Sequence, residues 1–351
     1  MHTTLTRPAA GETLWLTAAD PAWPGLLEAA GGHDVYHLPA WHALAEAMGE
    51  GEARLFVYRE GDRFVALSLL IRTIAGTGLR DATSVYGYAG PILSASLPGA
   101  GLVERFGRAL EGFAREQRLV SAFSRLHPLL DQAGLLAGLG EVRPHGSTVS
   151  LDLTLPPDRQ TADYSRNHRR GLERLRAGGF VSELDREFRY LDTFVAIYHE
   201  NMRRVGADPF YLFPPAYFRG LRDGLGERLL LVVCRKGEEV ASAGLFTLTD
   251  GIGQYHLGAT ADAFAGLAAS KQVFDTARVL LAERGARVLH LGGGRGAAED
   301  SLFRFKTGFS GRRHPFATWR WIVDPQAYAR LAAERRLDPA SDFFPAYRAH
   351  A

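Results

Sequence analysis

Along this chain the spacing of apolar residues switches between a period near two and a period near 3.6, and the same succession occurs twice. Leu55 to Tyr58 and Phe64 to Ile71 are apolar, β-rich runs around the polar turn Arg59-Glu60-Gly61-Asp62. Leu230 to Cys234 and Val240 to Leu248 form a second such pair around Arg235-Lys236-Gly237-Glu238. Each pair reads as a β-hairpin, because glycine permits the reversal and branched residues suit a buried sheet. The turns align as Arg-x-Gly-acid followed by Val-Ala, at Val65-Ala66 and Val240-Ala241.

The correspondence continues past the hairpins. Val85-Tyr86-Gly87-Tyr88-Ala89-Gly90 and Gln254-Tyr255-His256-Leu257-Gly258-Ala259 read as equivalent strands. A helix then runs from about Leu102 to Arg115, with Val103, Phe106, Leu110 and Phe113 on one face. Its counterpart runs from about Ser270 to Arg284, with Val273, Phe274, Ala277, Leu280 and Leu281 on one face. Ser270 is the expected N-cap and Gly285 the expected glycine just past the end. Leu119 to Phe123 and Arg287 to Leu291 are the closing strands. Helices at Trp41 to Met48, Tyr164 to Ala177 and Leu191 to Val205 stand ahead of the two copies.

Two copies of hairpin, strand, helix and strand predict a duplicated α+β fold: two tandem domains, each a central, mostly antiparallel sheet flanked by helices. The expected boundary is Pro156-Pro157-Asp158, after a strand from Thr148 to Leu153. Domain one then spans 1–155 and domain two 156–315. A last strand, Phe316 to Val323 with Trp319 and Trp321, follows the second copy, so 316–351 is expected to return and complete domain one.

Length agrees with this division, since 351 residues favour two domains over one. Hydrophobic content of 46% and charged content of 23% permit a core without staples. One cysteine excludes an intramolecular disulfide and suits a reducing compartment. Met1 to Glu12 lacks the basic-then-apolar order of an export signal, and no apolar run is long enough to span a bilayer. A cytoplasmic protein is the expectation. Net charge of +2 does not announce a nucleic-acid partner. Arginine nevertheless supplies nearly all the positive charge: of 41 basic residues only Lys236, Lys271 and Lys306 are lysine. Lysine and arginine are not equivalent at a site, so each retained lysine is of interest.

Several segments combine chemistry-bearing residues with this layout. They are Val35 to Trp41, Tyr86 to Pro91, the basic stretch Ser165 to Gly178, Tyr255 to Ala259, Leu291 to Gly294, and Phe305-Lys306-Thr307-Gly308-Phe309. In their order and spacing, over about residues 20 to 325, they resemble the Fem-like branch of the GNAT superfamily. That branch includes enzymes that build peptidoglycan interpeptide bridges with aminoacyl-tRNA as donor. Members with a long helical arm in the second domain fit less well than arm-less ones, because there is no room here for a coiled coil.

The resemblance implies an acyl- or aminoacyltransferase, with domain one on the acceptor side and domain two on the donor side. Amide formation passes through a tetrahedral oxyanion, which a fixed cation or N–H group stabilises. The resemblance gives that role, or a hold on a substrate phosphate, to Phe305 and Lys306; otherwise Lys306 compensates the dipole of a short helix starting near Asp300 and stopped by Gly308. Tyr255 and His256 are adjacent on a strand, so one of them faces the cleft. Tyr255 would donate a proton or hydrogen bond and His256 would act as base, the alternative being plain packing. The run Arg166, His168, Arg169, Arg170, Arg174 and Arg176, relieved only by Glu173, is the densest basic patch, and its Arg166, Arg169, Arg170 and Arg174 are the leading candidates for tRNA or other phosphate, against the reading of a solvated helix. Arg203, Arg204, Tyr211, Tyr86, Tyr88, Lys271 and Arg295 are candidate substrate contacts.

Other signals are weaker. The run Gly292 to Ala297 lacks the strand-helix unit and acid of a dinucleotide site. His33 and His37 have no third ligand, so no metal is expected. Cys234 reads as a core thiol. The loop that would cradle the pyrophosphate of coenzyme A falls between Ala259 and Ser270, where the chain has one glycine and an acid. This favours aminoacyl-tRNA as co-substrate, with no bound cofactor, and an amine of a small molecule or peptidoglycan precursor as acceptor. A CoA-dependent N-acyltransferase is the alternative, and a non-catalytic tandem-GNAT binding module the third reading.

Overall fold

A computed structural model describes residues 11–96 and 101–349. The first ten residues, where the sequence suggests no export signal, lie outside the described residues. In chain order the elements begin with β1 (Glu12–Thr17), α1 (Ala22–Glu28), α2 (Pro39–Ala47), β2 (Glu52–Glu60), β3 (Arg63–Ile74), β4 (Leu79–Thr83), β5 (Pro91–Leu93), α3 (Leu102–Glu116) and β6 (Leu119–Arg125). Next come β7 (Glu141–Asp152), α4 (Pro157–Ala162), α5 (Arg166–Ala177), β8 (Phe180–Leu184), α6 (Leu191–Arg204), α7 (Pro215–Leu225), β9 (Leu229–Lys236), β10 (Glu239–Thr249) and β11 (Ile252–Thr260). The chain closes with α8 (Ser270–Glu283), β12 (Val288–Gly292), α9 (Ser301–Thr307), β13 (Arg313–Ile322) and α10 (Pro325–Glu334). The fold is α+β, and it divides into two units, 1–145 with 316–351, and 146–315.

In the first unit the strands run β1-β2-β3-β4-β6-β13, antiparallel except for the parallel pair β4–β6, with β5 on β3. Phe106, Leu110 and Phe113 of α3 lie at the helical spacing that gives one apolar stripe, and they pack with Phe56, Leu67 and Leu69 of the hairpin. A separate cluster joins Tyr328 and Leu331 of α10 to Val120 and Tyr347. In the second unit the order is β8-β9-β10-β11-β12-β7, antiparallel except for the parallel pair β11–β12. Here α8 supplies Val273, Phe274, Ala277 and Leu281 to a core with Leu230, Val232 and Phe246.

The two sheets have the same plan, and the comparison corrects the sequence reading in three places. First, β7 follows the first copy in the chain, yet it pairs with β12, Leu151 opposite Leu289. β13 follows the second copy and pairs with β6, Trp321 opposite Ala122. Each copy thus gives its final strand to the other's sheet, and the division falls inside β7, upstream of Pro156-Pro157. Second, the counterpart of β11 is β4, so Tyr86 and Tyr88 are not on the equivalent strand. They occupy the irregular stretch between β4 and β5. Gly87, at φ 130°, departs from strand geometry, and a Cβ there would stand 2.2 Å from atoms of the Tyr36 ring, so only glycine fits. β4 is easily missed because it is polar: its Asp81 is fully buried and held by Arg72 and Arg348 at 2.7 Å each. Third, the N-cap of α8 is Ala269, with no side-chain cap, and Ser270 is the first helical residue. Among the described residues no helix is long and apolar enough to cross a membrane.

Candidate functional site

The site is built from α9 outward. Asp300 caps this helix through Oδ1, which accepts the Phe303 N–H at 2.9 Å, and its Oδ2 pairs with Arg295 at 3.0 Å. Such a cap satisfies donors that the first turn leaves without partners. Phe303 and Lys306, one turn apart, form the buried face of α9. The Lys306 side chain is only 5% exposed. Its Nζ donates to the Gly293 carbonyl at 2.6 Å and lies 5.5 Å from the centre of the Tyr255 ring. Burial disfavours the ammonium and lowers its pKa to about 7, with Asp300 opposing the shift. A side chain that is charged on any surface therefore stands here near the middle of its titration at neutral pH.

Tyr255 comes from β11, where it packs on Phe274 of α8 at 4.5 Å. Burial raises the pKa of its phenol, which stays protonated. Phe305 meets the same Phe274 edge-on at 5.4 Å. Lys306, Phe305 and Tyr255 are thus brought together. His256 is not part of this group. β11 has a bulge at His256, which falls between the pairs Phe246–Tyr255 and Leu245–Leu257. The His256 ring lies against α7, with Nε2 2.9 Å from the Tyr217 hydroxyl. Burial there lowers its pKa to about 3.

The basic stretch is the helix α5, capped by Ser165, and its faces have different fates. Arg166, Asn167, Arg170, Glu173 and Arg174 line an open concavity of about 630 Å³. Beside it Lys271, 5% exposed, donates from Nζ to the Asn167 carbonyl at 3.2 Å and to its side-chain oxygen at 3.4 Å. Burial first, and Arg174 second, hold this amine below the ordinary lysine range. Arg169 points elsewhere, donating to the Ala162 carbonyl at 3.1 Å. Arg204 pairs with Asp262 and donates to the Thr260 carbonyl at 3.0 Å. Arg203 is exposed, and Tyr211 lies in a short 3-10 turn whose carbonyl accepts the Tyr198 hydroxyl at 2.7 Å. In the first unit Tyr88 stacks edge-on with Tyr36 and Phe316, while the Tyr86 carbonyl accepts from Trp41.

The sequence puts His168 in the basic run as a phosphate contact, and the structure turns it inward, between α5 and α9. His168, on the inner face of α5, has Nε2 2.9 Å from the Phe305 carbonyl. Burial, with help from Lys271, lowers its pKa to about 4 and keeps the ring neutral. The signal was present in the spacing, because His168 stands three residues after the N-cap and one turn before Leu172, on the buried stripe. Cys234 is a core thiol, pushed up to about 12 by burial.

Residues 162–307 match the family model described as the acetyltransferase (GNAT) domain. No curated protein matches the sequence. Among solved structures the chain is similar to FemX at 14% identity, covering 91% of this chain and 99% of that one, with a TM-score of 0.71. It is similar to L-PGS from Bacillus licheniformis at 14% identity, with coverages of 90% and 96% and a TM-score of 0.57. A tandem GNAT protein from the clavulanic acid biosynthesis pathway gives 14% identity, coverages of 90% and 99% and a TM-score of 0.51. The fold class is therefore GNAT, the acyltransferase fold. Over the whole chain the fold is similar to that of FemX and of the tandem GNAT protein.

Proposed function

We propose that this chain is an aminoacyltransferase that moves an aminoacyl group from aminoacyl-tRNA to an amine of a small-molecule or peptidoglycan-precursor acceptor. The observation that carries the reading is Lys306, a buried amine with a pKa near 7, above the Tyr255 ring in the unit that also holds a guanidinium-lined groove. The acceptor amine attacks the ester carbonyl and a C–N bond forms. The C–O bond to the ribose then breaks. The nitrogen loses a proton and the ribose oxygen gains one. A group with its pKa near the working pH serves both transfers best. Neutral Lys306 takes the proton from nitrogen, and as ammonium it returns the proton to the ribose oxygen. The Tyr255 hydroxyl, protonated throughout, donates toward the oxyanion.

Arg166, Arg170 and Arg174, with Lys271 beside them, are the phosphate contacts in this scheme. Arg203, Arg204 and Tyr211 are assigned to substrate, and Tyr86 and Tyr88 to the acceptor. The segment between Ala259 and Ser270 supports RNA over coenzyme A: it has one glycine, a 3-10 helix over Asp262–Leu267, and an acid, Asp262, paired with Arg204, a composition that suits a pyrophosphate poorly. Such a reaction belongs in the cytoplasm, where charged tRNA is made. The match of residues 162–307 to the GNAT acetyltransferase domain favours the second reading, a CoA-dependent N-acyltransferase.

The two separate on ligand binding. A donor at about 100 times its dissociation constant stabilises the protein by roughly 2.7 kcal/mol, visible as a thermal shift. Charged tRNA is expected to bind, and amide formation to be lost on RNase treatment. A thermal shift with acyl-CoA and no binding of tRNA would refute the aminoacyl-tRNA reading.

A further inference from the structure

We propose that His168 is a positioning residue for this reaction: from the inner face of α5 it clamps the Phe305 carbonyl and so fixes the peptide group that leads into Lys306. The inference rests on the reading of Lys306 as the proton carrier.

The hydrogen bonds around His168 admit one arrangement. Ser165 Oγ accepts the His168 backbone N–H at 3.2 Å and lies 3.1 Å from Nδ1, so its own hydrogen goes to Nδ1. That leaves Nε2–H to donate to the Phe305 carbonyl. The same carbonyl accepts the Gly308 N–H at 3.1 Å, so donors from α5 and from α9 itself fix it. Its peptide partner is the Lys306 N–H, and its orientation sets where the lysine side chain leaves the helix. A second tie runs backward, from the Ser165 N–H to the Gly308 carbonyl at 2.8 Å.

The packing is built around this ring. A Cβ on Gly308 would stand 2.3 Å from Cε1 of His168, so only glycine lets the helix end lie on the imidazole. Phe309 meets the ring edge-on at 4.4 Å, and Phe305 lies tilted against it at 5.3 Å. His168 is 4% exposed, and the nearby charged group is Lys271 from α8. Around Lys306 the facing groups are Tyr255 from β11, Asp300 from the cap of α9 and the Gly293 carbonyl. Arg166, Asn167 and Arg170 lie on the outer face of the same turn of α5. A donor phosphate seated there is held by the turn whose inner face holds Phe305, so donor binding and the placing of Lys306 share one rigid element.

The test uses the protein labelled with 13Cε-lysine. Its three lysines give three signals, and Lys306 is the one lost in Lys306→Met. In the unaltered protein that signal titrates near about 7. In His168→Ala it moves toward the ordinary lysine value near 10.4, and kcat falls on the order of 100-fold while KM for the donor is unchanged. His168→Gln, whose amide nitrogen can still donate to the Phe305 carbonyl, restores both. Should His168→Ala fail to fold, Ser165→Ala frees Nδ1 and moves the titration in the same direction by less. An unchanged Lys306 titration in the folded variants would overturn the clamp. A midpoint far from 7 in the unaltered protein would instead overturn the reading of Lys306, while the shift between variants still judges His168.

Discussion

Lys306 has an electrostatic cost that makes it testable apart from activity. Its folded pKa, about 7, lies below the ordinary value, so between pH 7 and about 10 the unfolded chain binds a proton that the folded chain does not. Stability from this group therefore rises with pH across that window, and at or below pH 7 the full penalty applies. Lys306→Met is expected to stabilise the protein at pH 7 by up to about 4 kcal/mol, the gain shrinking toward pH 10. Chemical denaturation at the two pH values measures it, and equal stability of both proteins throughout would mean that the lysine is not desolvated. The same variant should abolish transfer. In the unaltered enzyme kcat should rise through pH 7 as the amine becomes free. At Gly308 the constraint is steric rather than electrostatic. Gly308→Ala drives a methyl into the His168 ring and should cost about 1–3 kcal/mol, read as a lower denaturation midpoint.

At the scale of one element, α5 separates two jobs by helical face. Its inner stripe of His168, Leu172 and Leu175 is buried, and its outer arginines line the groove. If those arginines meet phosphates, each contact contributes about 0.7–0.9 to the slope of log affinity against log salt. Arg170→Ala should lower the slope for tRNA by that amount, whereas Arg169→Ala, directed at the Ala162 carbonyl, should lower it less. Equal effects would mean a diffuse basic surface and no defined groove. Two short segments, one in each unit, also differ in kind. α9 is made by a sequence-local cap at Asp300, while the stretch after β4 is shaped by distant partners, Trp41 and Tyr36 among them.

Across the whole molecule the buried histidines set an acid limit. His37 and His42 in the first unit have pKa values lowered to about 3 and about 4 by burial. His168 and His256 in the second are lowered to about 4 and about 3. Each stays neutral when folded and gains a proton on unfolding below its ordinary value near 6.5, so stability is lost as pH falls through that value. Each histidine contributes a slope of up to about 1.4 kcal/mol per pH unit. Denaturation midpoints should fall steeply between pH 6.5 and 4 in both units. A flat profile there would show the rings to be solvated.

What the sequence determined by itself was local and periodic. The hairpins, the helices α3, α5, α6 and α8 and the cap of α9 follow from residues a few positions apart, because their hydrogen bonds close within the segment or across a short turn. The duplication was legible for the same reason, and so was the candidacy of Lys306 and Tyr255, as was the basic helix. The tertiary structure alone decided the rest. The polar strand β4 is stabilised by Arg348, far away in the chain, and the pairing of β7 with β12 is a choice among partners that alternation cannot rank. Alternation separates Tyr255 from His256, but which of them meets α8 and which meets α7 was settled by packing. His168 found Phe305 across a sequence distance that no local pattern spans. Burial, and with it every shifted pKa at the site, is a property of what surrounds a side chain, and only the folded chain supplies those surroundings.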